Sequence, residues 1–396
     1  MTRARLLLAL AALIALLAAW HASAPPTALP ADASATRFSA MRAMADVRLI
    51  GRNAHPVGSV EHGRVRARLV ARMQALGLAP RVAAARAIKL KPGARGLAVD
   101  GAEVRNIVGV LPGYDSRLPA VLLMAHYDSV PSSPGAADDG AGLAAALETI
   151  RALKAGGPGR RDMILLFSDA EENGLLGARA FFDGDPAAAR VGFVVNMDMR
   201  GGGGRAIMHE TGRDAGGAID LYRRTAIHPT TDSIAAWVER LIRNSSDFRV
   251  AVDRGLPGLN YAILDRQFDY HAASSTPERL DPRSLQHLGE QVLAVMRGLV
   301  DAAELPAAAP DPAYVSVLGL AVVAWPAWAG WLILGVGLAA GGIAWRRSAS
   351  SAAGLRGVAA AAHLLLTLVL ALMLARSATA IPFGFTVGRP LLAWWN

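Results

Sequence analysis

Short, wholly apolar runs alternate with amphipathic segments through the middle of the chain, and longer apolar stretches lie towards its two ends. Phe38 to Ile50 has helical periodicity. Val60 to Leu76 predicts a longer helix that Ser59 caps and Gly77 ends. Val104 to Leu111 predicts a strand closed by Pro112-Gly113, and Ala120 to Ala125 a strand that runs straight into His126. Met163–Phe167, Val191–Val195 and Gly258–Leu264 read as further buried strands. Gly140–Ala155, Leu175–Phe182, Ile234–Arg243 and Pro282–Ala303 read as helices. Continuous apolar strands alternating with helices predict the α/β class, with a mostly parallel sheet covered on both faces. There is no internal repeat, and Gly201–Gly204 reads as a turn without the strand–helix context of a nucleotide-binding loop.

The ends carry a different signal. Arg3 and Arg5 precede an apolar run from Leu6 to Trp20, and Ala22-Ser23-Ala24 stands before Pro25-Pro26. Residues 1–24 therefore read as a signal peptide or an uncleaved signal anchor, and 25–38 as a linker. A domain over 39–303 and a linker over 304–313 come next. Tyr314 to Trp345 is apolar and uncharged, and 358–375 is a second such run broken mainly by His363. Each is long enough, as a helix, to cross a hydrocarbon core of roughly 30 Å. Residues 346–357 between them carry Arg346, Arg347 and Arg356 and no acid, which predicts a cytoplasmic loop. Arg3 and Arg5 face inward by the same tendency, so the domain lies outside, with 376–396 as a tail. The expected location is a bacterial inner membrane with the domain on the periplasmic side.

Composition narrows the chemistry. The formal net charge of +9 is almost all arginine, with Lys89, Lys91 and Lys154 the only lysines. Arginine with abundant alanine points to a GC-rich genome, and no basic stripe interleaved with aromatics indicates nucleic-acid binding. The chain has no cysteine, which excludes disulfides, thiolate metal sites and cysteine nucleophiles.

His126, Asp169 to Glu172 and Asp198 all follow predicted strands. In a parallel sheet, groups at the carboxyl ends of strands converge on one edge, where ligands bind. Imidazole and carboxylate are zinc donors, usually about four to an ion. Two ions roughly 3.5–4 Å apart need a bridging carboxylate, a histidine and a further carboxylate each, and a free carboxylate as base. His126, Asp138, Glu171, Glu172, Asp198 and His271 meet that count.

The motifs around these residues are Ala125-His126-Tyr127-Asp128-Ser129, Gly135 to Gly142, Phe167-Ser168-Asp169-Ala170-Glu171-Glu172 through Gly177, Asn196-Met197-Asp198 and Tyr270-His271. Together they resemble the dizinc aminopeptidase family of zinc exopeptidases. That family includes secreted bacterial leucine aminopeptidases, glutamate carboxypeptidases and glutaminyl cyclases. Gly255–Leu259 and Thr276–Asp281 match as well. With apolar segments added, the chain is similar to the membrane-bound branch of endoplasmic reticulum metallopeptidases and vacuolar membrane proteases. The resemblance implies a three-layer α/β/α zinc-peptidase-like domain with a mixed sheet and terminal transmembrane helices.

By motif, the resemblance also implies roles. His126 and Asp198 would bind one zinc, Glu172 and His271 the other, and Asp138 would bridge both; cobalt or manganese could take the same donors. Glu171 would be the general base and then the acid, Asp128 would orient His126, and Tyr270 would stabilise an oxyanion. The bond after Asp138 would be cis. The implied activity is hydrolysis of N-terminal peptide bonds. Alternatives are a glutaminyl-cyclase-like acyltransferase, a carboxypeptidase-type member, and a catalytically silent membrane-anchored binding module.

Other residues read more plainly. His55 beside Pro56 reads as structural, and Asp169 as a turn support. Asn244, Ser245, Ser246 and Asp247 lie where the family has a substrate-side loop. One departure stands out: the family carries an acid four residues after the last histidine, and Ser275 occupies that position. The support of the His271 loop is therefore in question.

Overall fold

In a computed structural model, residues 3–93, 96–241 and 246–348 are described. They fall into two compact units, Met1–Trp237 with Ser245–Val323, and Val238–Asn244 with Ala324–Asn396.

The elements run α1 (Arg3–Ser23), α2 (Ala40–Ile50), α3 (Val60–Ala75), β1 (Arg81–Gly93), β2 (Gly96–Leu111), β3 (Ala120–His126), α4 (Gly140–Ala155), β4 (Met163–Ser168), α5 (Leu176–Gly184), β5 (Val191–Met197), β6 (Gly203–Thr211), α6 (Gly216–Thr225), α7 (Ser233–Leu241), α8 (Phe248–Val252), β7 (Gly258–Asp265), α9 (Pro282–Asp301), β8 (Pro312–Val317), β9 (Ala321–Pro326) and α10 (Ala329–Ser348). Ser59 caps α3 as expected, accepting from the His62 amide, and Asp281 caps α9 with Pro282 in its first turn.

Seven strands form one sheet in the order β1-β2-β4-β3-β5-β7-β6. β4, β3, β5 and β7 are parallel neighbours, while β2 and β6 run antiparallel to the strands they flank. The sheet is thus mixed and mostly parallel, as expected. The three central strands are apolar because both faces are covered: every residue of β3 and β4 is buried. Ala120, Leu122 and Met124 pack with Phe181 of α5 and with Phe248 and Ala251 of α8. Alternation along the strand turns Val121, Leu123 and Ala125 to the opposite face. There α4 and α9 lie against β3, with α2 packed on both helices.

Register fixes where the strands end. His126 pairs with Ser168 across β3 and β4, and Met124 pairs with Asn196 across β3 and β5. The residues that follow the three strands therefore leave the sheet at one level.

Several elements were not foreseen. Strand β1 has four alanines among its 13 residues, which carry little strand signal, yet it pairs with β2 along its whole length. Strand β6 begins inside the Gly201–Gly204 turn, and it and helix α6 occupy residues for which the sequence predicts no element. The expected continuous helix from Tyr314 is corrected. Residues 312–326 form the β8–β9 hairpin, with Leu318 and Gly319 at positive φ (53° and 68°) in its turn, and the helix begins only at Ala329. β-Branched Val315, Val317, Val322 and Val323 suit a strand, and Pro326 interrupts the run. No helix among the described residues is long and apolar enough to cross a membrane. The second apolar run, 358–375, and the tail lie outside the described residues, as does most of the basic loop.

Candidate metal centre

His126 is the last residue of β3 and is buried. Its Nε2 lies 3.0 Å from Asp138 Oδ1, and its Nδ1 lies 3.0 Å from the backbone oxygen of Asp128 and 3.4 Å from Asp128 Oδ1. The ring is therefore held from behind and presents Nε2 to the site. Asp128 does more than orient this ring. Its two carboxylate oxygens accept from the amides of Glu171 (3.0 Å) and Glu172 (3.2 Å). One buried carboxylate thus fixes both the histidine after β3 and the acidic turn after β4.

That turn is tightly built. Ala170 and Leu175 adopt positive φ (57° and 64°), which non-glycine residues rarely tolerate. Asp169 supports it from below: Oδ2 accepts from the Arg105 amide at 2.7 Å, and Oδ1 lies 2.9 Å from His62 Nε2. Gly177 is required at the start of α5, because a Cβ there would come within 2.2 Å of the Asp169 carbonyl oxygen.

Asp138 precedes α4, whose N-cap is Asp139. Asp139 accepts from the Gly142 amide at 3.1 Å and from the His126 amide at 3.4 Å, and the peptide bond joining Asp138 to Asp139 is cis. Asp138 Oδ2 faces His271 Nε2 at 3.2 Å, so one carboxylate stands between the two imidazoles. Asp198 follows β5, and its amide donates to the Tyr261 carbonyl at 3.0 Å.

His271 Nε2 also lies 2.9 Å from Glu172 Oε1. Despite that distance, neither atom makes a hydrogen bond. The pair therefore stands as a close contact between an imidazole nitrogen and a carboxylate oxygen. His126, Asp138 and Glu172 bring one donor atom each within 4.8 Å of one another, a grouping able to hold a metal ion. The donor set is nitrogen and oxygen, which suits zinc.

Electrostatics point the same way. Burial, then the charge of Asp198, raises the Glu171 pKa well above its usual range. Burial and the charge of Asp138 push Glu172 up to about 7. Asp198 is also raised by burial, with Arg200 opposing. Burial works against the charged form of His271, but contacts with Asp138 and Glu172 win and lift it to about 10. His126 is likewise raised, its carboxylate contacts overcoming burial. Buried carboxylates crowded in this way call for positive charge.

The other predicted residues fall as follows. Tyr270 stacks on His271 with ring centroids 3.8 Å apart. His55 points elsewhere: its Nδ1 pairs with the Asn53 oxygen at 2.8 Å and its amide donates to Ser129 Oγ at 2.9 Å. Asp247 is buried against Ser168 Oγ, and burial pushes its carboxyl up to about 7. Ser246 Oγ accepts from Asn260 Nδ2 at 3.0 Å, whereas Asn244 and Ser245 lie outside the described residues. Arg200 was not singled out by sequence, and its guanidinium carbon lies 5.5 Å from the centre of the Tyr270 ring. Its position two residues past Asp198 was the available signal.

With this geometry in hand, similarity to known proteins becomes informative. The profile of Peptidase family M28 matches residues 106–296. Endoplasmic reticulum metallopeptidase 1 of Mus musculus is 31% identical over 238 residues, covering 58% of this chain and 26% of the relative. Vacuolar membrane protease of Candida dubliniensis is 37% identical over 188 residues, covering 47% and 20%. The chain thus spans at most about a quarter of the length of these relatives. Among solved structures, the aminopeptidase from Aneurinibacillus sp. strain AM-1 superposes with a TM-score of 0.56 at 13% identity, over 70% of this chain and 98% of that one. A zinc aminopeptidase from Bacillus subtilis gives 0.52 at 15%, over 70% and 99%. Porphyromonas gingivalis glutaminyl cyclase gives 0.50 at 19%, over 65% and 98%. At such identities the likeness is one of fold.

Proposed function

Because residues 106–296 are a Peptidase family M28 domain, we propose that the chain is a two-zinc exopeptidase that removes residues from the free amino end of peptides. The observation that carries this reading is Asp138 placed between His126 and His271, with Glu172 Oε1 2.9 Å from His271 Nε2. His126 and Asp198 would hold one ion, Glu172 and His271 the second, and Asp138 both. When bound, the ions would polarise the scissile carbonyl and lower the pKa of a coordinated water.

The chain's own residues do the rest. Glu171 is buried, its backbone is fixed by Asp128, and a raised pKa suits it to take a proton from water and return it to the departing amine. Tyr270 is held against His271 with Arg200 over its ring, and would place a hydroxyl at the developing oxyanion. Membrane attachment belongs to the same proposal. It is supported by the apolar segments near both ends and by relatives named as an endoplasmic reticulum and a vacuolar membrane enzyme. The location proposed is the outer side of a bacterial inner membrane.

Metal analysis paired with peptides bearing free and blocked amino termini tests the reading. Two zinc ions per chain and cleavage only with a free terminus are expected. Cyclisation of an N-terminal glutaminyl peptide with one ion per chain would instead favour the cyclase alternative raised by the fold likeness. A second expectation follows from charge. Free of metal, His271 has a pKa of about 10 and holds its proton at pH 7. An imidazole must lose that proton to bind zinc, so binding should release protons and weaken as pH falls. Calorimetry in buffers of different ionisation enthalpy reads this directly, and a buffer-independent enthalpy would refute it.

A further inference from the structure

The family resemblance leads one to expect an acid four residues after His271, where this chain has Ser275. We infer that Asp269 supplies the missing carboxylate from the other side of His271, and that its clasp with Arg279 is the positioning device for that histidine. The inference rests on the two-zinc reading above.

His271 needs such a device. Its φ is 53°, a left-handed conformation that a non-glycine residue keeps only when its surroundings impose it. Within the loop, the Asp269 carboxylate is buried, with 3% exposure. Its Oδ1 accepts from Ser274 Oγ at 2.6 Å and from Arg279 Nε at 3.0 Å, while Oδ2 lies 3.1 Å from the same Nε. The Asp269 backbone oxygen accepts from the Ala272 amide at 3.3 Å. These bonds close the chain on itself from 269 to 279, and His271 lies inside the closure. A charge-assisted contact of this kind is stronger and more directional than one between neutral groups.

Ser275 does a different job. Its backbone oxygen accepts from the Ala136 amide at 3.1 Å, and its hydroxyl lies 3.4 Å from the Ala137 amide. Ser132 Oγ donates to the His271 oxygen at 2.8 Å. The serine pair therefore ties the His271 loop to the residues just ahead of Asp138 with neutral groups. A carboxylate at 275 would add charge beside an already acidic cluster. At 269 the charge is met by Arg279 instead.

The test uses the full chain and three variants: Asp269→Asn, Arg279→Gln, and Asp269→Asn combined with Ser275→Asp. Zinc stoichiometry and stepwise affinity are read by chelator competition, the cobalt-substituted absorption spectrum reports the ligand field, and circular dichroism reports folding. Supporting groups around a metal ligand typically set affinity by about 10–100-fold. Asp269→Asn should lose that much at one site and leave the other unchanged, with the cobalt spectrum altered. Arg279→Gln should act in the same direction. It removes the half-exposed partner and so keeps the test alive if Asp269→Asn fails to fold. The double variant should recover most of the lost affinity. Unchanged affinity at both sites, an equal loss at both, or a double variant no better than Asp269→Asn would each overturn the inference. A wild-type chain that binds fewer than two ions overturns the two-zinc reading itself, and the clasp with it.

Discussion

Glu171→Gln should bind both zinc ions with unchanged stoichiometry and yet hydrolyse an aminoacyl anilide about 10²–10⁴-fold more slowly, the span that a positioned general base contributes. The expectation depends on separating two jobs that adjacent residues perform. Glu172 brings its Oε1 to His271 and Asp138, whereas Glu171 has no such contact and is raised chiefly by burial and by the charge of Asp198. Glutamine keeps the volume and the backbone bond to Asp128 but cannot accept a proton. The loss should fall on kcat, because the group acts on the reacting atoms and not on the bound peptide as a whole. Undiminished hydrolysis with full metal content would remove Glu171 from the mechanism. A parallel loss of metal would make it a ligand instead of a base.

Much of this arrangement was legible in the sequence because the central strands are apolar on both faces. A run such as Ala120–His126 announces both its burial and its end, and the end is where His126 stands. The same logic found the strands that deliver Glu171, Glu172 and Asp198. It failed where side chains are small or the pattern is shared between two states. Alanines at 83, 84, 85 and 87 weaken the apolar signature of β1, although the strand pairs with β2 from Arg81 to Gly93. The uncharged, apolar run from Tyr314 to Trp345 satisfied the length test for a helix, while within 312–326 its valines and the Leu318–Gly319 turn built a hairpin. Hydropathy over a window cannot separate these, whereas β-branching and turn residues do.

Support around the donor atoms was less visible still. Asp128 was expected to act on His126 alone, and its bonds to the Glu171 and Glu172 amides follow from a register that only pairing of β3 with β4 reveals. Ser275 raised a doubt from local sequence comparison. Asp269 answers it through a side-chain clasp reaching ten residues along the chain, a distance that periodicity does not report.

Asp138→Ala is the substitution expected to do most damage. Among the described residues, Asp138 is the one carboxylate that touches both imidazoles, at 3.0 Å from His126 Nε2 and 3.2 Å from His271 Nε2. Its removal should therefore weaken both metal positions at once, by more than the about 10–100-fold that follows loss of a supporting group. Stabilisation of the transition state by bound metal is worth several kcal/mol, and about 4 kcal/mol corresponds to roughly a thousandfold in rate. Hydrolysis should accordingly fall by at least about 10³-fold, and added zinc should restore little of it. A second measurement separates this from misfolding. Metal-free His271 owes its pKa of about 10 partly to Asp138, whose contact together with that of Glu172 outweighs burial. In metal-free Asp138→Ala, the His271 titration followed by NMR should move downward, towards the ordinary imidazole range, while circular dichroism stays native. Retention of two tightly bound ions, or a His271 titration that does not move, would place Asp138 outside the centre that this geometry builds around it.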